Sequence, residues 1–333
     1  MKLNCRLIRN LALDHAEYTP MILRPRPTPL RLFFILRGSV LSGIWKVLLV
    51  NILLAIAVTS AHGDLGALKI TLTPIPFTLI GLPLAIFLGF RNNAAYDRYW
   101  EGRKLWGSLI SDMQNLARQC RSLIEDPNPA HASLGLADVR VRMIYRAIAY
   151  AHVLKHRLRG TEQGSELKAL VQPEELEQMQ RATNQPNFLM LQMGADLRHC
   201  LHENRIDPCL APVMDNTLSS IVAVGIGCER IKTTPIPFSY TLLLHRTAYV
   251  YCFLLPFGLV DTIGFMTPVV VALVAYTFFG LDQLGDEIEE PFGLQENDLP
   301  LDAMCRTIEI NLRESLGETD LPPPLLPVDY CLM

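Results

Sequence analysis

The sequence predicts an all-α membrane protein, with four spanning helices and a helical cytosolic portion set between the second and the third. Three observations predict it. Half of the 333 residues are hydrophobic and only 19% are charged, against about 25% in an ordinary soluble domain. The apolar residues concentrate at 32–90 and 233–281, whereas 91–232 is polar and helix-forming. Between Lys69 and Arg91 run 21 uncharged residues, enough to cross a bilayer as a helix. No stretch shows the alternation of a half-buried strand.

The same composition excludes other classes. A net charge of -3 and the lack of a basic run with interleaved aromatics argue against nucleic acid as a partner. The eight cysteines form no CxxC pair, and reduced thiols facing a cytosol are expected. Met1–Arg31 has no apolar h-region and carries Pro20, Pro25, Pro27 and Pro29. It reads as a cytosolic arm, not a cleavable leader.

In chain order, the first span centres on Trp45–Ala61. Only 17 uncharged residues separate Lys46 from Asp64, but Lys46 can extend its ammonium to the headgroups. Seven Lys and Arg precede this span and one lies in the loop His62–Lys69, which places the N-terminus in the cytoplasm. The second span, Ile70–Phe90, passes without a linker into a charged helix over 91–126, ended by Asp-Pro-Asn-Pro. Helices are expected at Asp138–Arg159, Pro186–Arg205 and Pro212–Lys232, with a loop-rich stretch at Gly160–Asn187 that holds a short helix from Pro173. The third span is weak, with 14 uncharged residues between Arg246 and Asp261, and it needs the segment from Ser239 onward. The fourth, Thr262–Leu281, is clear. The pentamer TPIPF occurs at Thr73–Phe77 and Thr234–Phe238, each time before a span, where proline fits a first helical turn. The tail is expected to be an extended arm.

Residues that could carry chemistry are few. Asp282, Asp286 and Glu290 share one helical face and repel one another unless cations answer them. A metal is one answer. Pairing with Arg91, Arg98, Arg103 or Lys104 is the expected one. The pairs His152/His156 and His199/His202 have helical spacing that could suit a metal, but no third ligand is placed, and a solvated face is expected. There is no GxSxG, P-loop, HExxH or glycine-rich dinucleotide turn, so no catalytic residue, metal or cofactor is expected. On the second span Leu82, Ile86 and Phe90 recur every four residues, which by itself describes ordinary packing surface. Arg91, Asn92 and Asn93 follow at once, and Gly81, Pro83 and Gly89 allow close helix approach or a bend. Several copies around an axis would then form an apolar constriction opening into a polar vestibule, able to gate by dewetting.

RNNAAYDRYWEGRKLWG (Arg91–Gly107), TTPIPFSY (Thr233–Tyr240) and GDEIEEPFG (Gly285–Gly293) together resemble the bestrophin family, specifically its bacterial members, over about residues 20–310. The resemblance implies a homopentameric channel in the bacterial inner membrane, with four spans per subunit and both termini inside. It divides the chain into an arm at 1–31, spans at 32–90, a cytosolic domain at 91–240, spans at 241–281 and a cytosolic segment at 282–333. The implied pore neck is Leu82, Ile86 and Phe90. The implied lower constriction falls in RIDPCL, where Ile206, Cys209 and Leu210 compete. Animal members carry an unbroken acidic run after PFG for calcium; this chain has LQENDLP, so calcium gating is not expected. Resemblance to bacterial members favours monovalent cations, and the animal members supply the anion alternative. A secondary transporter would need charged groups near the midplane, and the spans offer only His245 and Arg246. A membrane-anchored scaffold, with no ion passing, is the remaining reading.

Overall fold

The computed structural model describes residues 21–22, 28, 30, 35, 38–61, 64–65, 68–69, 72–125, 135–162, 164–328 and 331–332. Most of the arm at 1–31, Cys5, and the Asp-Pro-Asn-Pro terminator lie outside them. The elements in order are β1 (Met21–Ile22), α1 (Leu41–Ser60), β2 (Asp64–Leu65), β3 (Leu68–Lys69), α2 (Ile75–Leu123), α3 (Val139–Arg159), α4 (Pro173–Arg181), α5 (Gln185–His202), α6 (Ala211–Thr233), α7 (Phe238–Ile263), α8 (Thr267–Glu289), α9 (Leu301–Ser315) and β4 (Cys331–Leu332). Single 3-10 turns at Gly135–Ala137, Ser165–Ala169 and Gly264–Met266 complete the connections. The architecture is helical as expected. The strands add two pairs: the tail strand β4 runs antiparallel to β1, and β2 pairs with β3 as a hairpin.

Local sequence explains where the helices begin and end. Prolines occupy the first turns of α2, α4, α5, α6 and α8, where a missing N–H costs nothing. The Asp138 carboxylate accepts the Arg140 N–H at 2.8 Å and starts α3, which ends at Gly160 with φ 66°; only glycine adopts that conformation freely. The stretch 238–289 is continuous in apolar character. It folds back as two spans because Gly264 (φ 54°) turns the chain and Pro268 restarts it. The third span therefore begins at Phe238, and the fourth runs past Leu281 to Glu289.

The α2 helix is 49 residues long, about 73 Å at 1.5 Å per residue. Its first half packs with α7 and α8, and its second half with α3, α6 and α9. The spanning half holds three small buried clusters, tied by polar links such as the buried Asn51 amide donating to the Cys252 carbonyl at 2.9 Å. The second half joins one large core shared with α3, α5, α6 and α9. Helix α6 is also long and apolar enough to cross a membrane by length and composition, but it packs along α2 and α5 in that core.

Candidate pore face and the join below it

The site is the face that α2 leaves uncovered. Leu84 and Leu88 are 3% and 0% exposed and pack against Leu244 and Ala248 of α7. On the other side Leu82, Ile86 and Phe90 are 67%, 47% and 58% exposed. The same face continues into the polar half. At 100° per residue Asn93 and Asp97 follow Leu82, Ile86 and Phe90 in angle, and both are exposed. Asp97 is a residue of this face that sequence reasoning missed; carrying the 3.6-residue period two turns past Phe90 would have found it. Tyr96 and Trp100 stack beside it, with ring centroids 6.5 Å apart.

Just beyond Phe90 lies a buried charge cluster. The Arg91 side chain is fully buried and donates to the Asp282 carboxylate at 2.8 Å and to the Asp282 carbonyl at 3.3 Å. Its other terminal nitrogen donates to Asp286, with Glu289 at 4.0 Å. His245 Nδ1 meets the second Asp282 oxygen at 2.6 Å, and the Asn92 amide donates to the Leu281 carbonyl at 3.0 Å. These contacts fix α2 against α7 and α8 at the level where the apolar span ends.

The other expected partners are rearranged. Glu290 pairs with Lys232 at 2.6 Å, not with an arginine of α2, because α8 ends at Glu289 and the chain turns away from the helical face. Arg98 serves carbonyl oxygens, donating to Glu289 at 3.0 Å, Ile231 at 2.7 Å and Thr234. It therefore caps the C-terminal ends of α6 and α8, where cations are favoured. Among the described residues Arg103 makes no ion pair with Asp282, Asp286 or Glu290. Gly102 allows the close approach of Phe292 and Pro291, whose atoms would lie 3.1 and 3.2 Å from a Cβ there. The following loop is folded around Asp298, whose carboxylate accepts the Gln295 N–H at 2.6 Å. Burial is the main cause that pushes the Asp298 carboxyl up to about 7, with Glu290 and Glu287 adding to it and Gln295 and Arg159 opposing it.

Two further expectations are corrected. Ile206 is 2% exposed and belongs to the large core. The Arg205 N–H on the Cys200 carbonyl (2.8 Å) and the Arg205 carbonyl on the Glu125 N–H (2.7 Å) pin the loop so that Ile206 turns inward. Cys209 and Leu210 remain exposed at the start of α6. His152 and His156 are buried, not solvated: His156 bonds Thr161 and Glu166 at 2.8 Å each, beside a Lys155–Asp302 pair at 2.9 Å that ties α3 to α9. Among the described residues no group of three His, Cys, Asp or Glu side chains is placed to hold a metal.

Helices long and apolar enough to cross a bilayer, one of them continuing unbroken into a helical domain with its own core, define a membrane protein. The family model described as "Bacterial/Fungal Bestrophin protein" matches residues 21–314, and the chain belongs to the bestrophin family. It is 44% identical over 317 residues to a voltage-dependent anion channel-forming protein of Mesorhizobium japonicum, covering 94% of this chain and 97% of that one. A protein of the same description from Escherichia coli K12 is 42% identical over 308 residues, covering 92% and 98%. The crystal structure of a bacterial bestrophin homologue from Klebsiella pneumoniae superposes with a TM-score of 0.76 at 38% identity, covering 84% of this chain and all of that one.

Proposed function

We propose that the chain is one subunit of a homopentameric ion channel in the bacterial inner membrane, with both termini in the cytoplasm, passing monovalent ions passively. The observation that carries this reading is the uncovered face of α2. An apolar stripe at Leu82, Ile86 and Phe90 runs, on one unbroken helix, into Asn93 and Asp97. Five such helices around an axis give a dewettable neck above a polar vestibule. The relatives' descriptions as channel-forming proteins agree with it. Of the residues competing for the lower constriction, Cys209 and Leu210 are the exposed ones. The reading calls for no catalytic step, cofactor or nucleic acid.

A ring of Asp97 carboxylates just below the neck favours cations, since acidic rings concentrate them. The second reading, anion conduction, is favoured by the anion-channel descriptions of the relatives. Purified protein in planar bilayers under asymmetric NaCl separates them. The proposal expects unitary currents reversing near the sodium potential, and a reversal shifted toward zero in Asp97→Asn. Reversal near the chloride potential, unchanged in Asp97→Asn, establishes the anion reading. Absence of unitary steps with saturable uptake overturns the channel.

A further inference from the structure

Arg246 is a charge in the spanning region that, among the described residues, the packing leaves unanswered. It is exposed on α7, and among the described residues it makes no hydrogen bond or ion pair. The acidic side chains nearest in level are already engaged: Asp282 holds both His245 and Arg91, and Asp286 holds Arg91. Asp261, the acidic residue of α7, lies fifteen residues along the helix, about 22 Å away. An arginine in a membrane span is expected to find a partner.

The surroundings say which. Arg246 borders a groove of about 350 Å³ between α7 and the start of α2, whose apolar wall includes Leu72, Pro76, Ile80, Val250 and Leu254. His245, its neighbour in the chain, contacts Asp282 at 2.6 Å, at the level where Arg91 ends the apolar part of α2. Arg246 therefore stands a little over two turns into α7, level with Leu84 and Leu88, from where its long side chain can extend to the headgroups on the side of the helical domain. From there α7 carries the groove up by about 12 Å between Arg246 and Leu254, towards the bilayer middle. A cation at headgroup depth with an apolar channel running inward matches one molecule in shape and charge.

We propose that this groove holds an anionic phospholipid of the leaflet facing the helical domain, with its phosphate on the Arg246 guanidinium and an acyl chain against Val250, Leu254 and Ile80. The guanidinium fork suits a phosphate, and basic pockets between spanning helices on this side of a membrane bind such headgroups. Free phosphate would leave the apolar groove unfilled. The site lies beside the proposed pore helix, so the lipid bears on α2 directly through Pro76 and Ile80.

The test uses the full-length protein, delipidated in mild detergent and titrated with phosphatidylglycerol or phosphatidylcholine of identical chains, with bound lipid counted by native mass spectrometry. Wild type is expected to hold phosphatidylglycerol about tenfold more tightly, because both lipids offer a phosphate but phosphatidylcholine also brings its choline cation against the guanidinium. Arg246→Ala should abolish that preference, Arg246→Lys should keep part of it, and Val250→Trp should reduce binding of both lipids by filling the groove. Equal affinity for the two lipids in wild type, or a preference that survives Arg246→Ala, overturns the proposal. So does an Arg246→Ala variant that changes the number of chains per particle while lipid per chain is kept, which would assign Arg246 to a neighbouring copy.

Discussion

The two halves of α2 are one helix held in two different ways. Over residues 75–90 it buries only Phe77, Leu84 and Leu88, shared among small clusters with α1, α7 and α8. Over 91–123 it buries Trp106, Leu109, Met113, Leu116, Ala117 and Cys120 in one continuous core. The solvent accounts for the difference. Lipid tails are as apolar as leucine, so burying a leucine between spanning helices gains little beyond van der Waals packing. In water the same burial is worth about 1.5–3 kcal/mol per side chain. The spanning half can therefore leave Leu82, Ile86 and Phe90 uncovered at small cost, and the helical domain could not. An uncovered apolar face costs little where the surroundings are oil.

Three experiments break or sharpen this contrast. The largest effect is expected deep in the helical domain, where Arg146 is buried between Glu175, at 2.7 Å, and Asp196. Arg146→Ala strands the buried Glu175 carboxylate and leaves Asp196 to Arg142 alone, at 2.8 Å, and should cost about 3–5 kcal/mol, read as a lowered denaturant midpoint of the detergent-solubilised protein. A loss below about 1 kcal/mol would show that this half is not held by its core network.

Asp298 gives the next effect, in the loop joining the two halves. Burial, with Glu290 and Glu287 nearby, pushes its carboxyl up from the ordinary 3.8 to about 7, so the folded state favours the protonated form. The sign follows: there is no penalty below about pH 4, it grows between 4 and 7, and it is complete above 7. Wild-type stability should fall across that window by an amount on the order of 2–4 kcal/mol, and Asp298→Asn should flatten the profile. Melting curves from pH 4 to 8 check it, and parallel profiles for the two proteins would refute it.

The smallest stability effect belongs to the pore face itself. Leu88→Ala, on the packed side, should cost about 2 kcal/mol or more, whereas Leu82→Ala and Phe90→Ala should stay within about 0.5 kcal/mol. On conductance the order inverts, because Phe90→Ala widens the neck and raises single-channel current. If Leu88→Ala opens the channel and Phe90→Ala leaves both current and stability alone, the assignment of the two faces is reversed.

Much of the fold could be read from the chain. Uncharged runs marked the spans, prolines marked the helix starts, and the passage from Phe90 to Arg91 without a linker marked α2 as continuous. Asp97 was legible too, since it lies on the stripe begun by Leu82. His152 and His156 were not. Their spacing is that of a solvated face, and only the packing of α9 and the Ser165–Ala169 turn over α3 buries them.

The sequence by itself determined which segments enter the membrane and which residues share a helix face, because both depend on local composition and the 3.6-residue period. Only the tertiary structure decided which of those faces is covered. Ile206 went into the core while Cys209 and Leu210 stayed out, Glu290 found Lys232, and among the described residues Arg246 was left without a partner. Each outcome depends on where a helix from a distant part of the chain comes to rest. A periodic pattern names a face, and only its neighbour can close it.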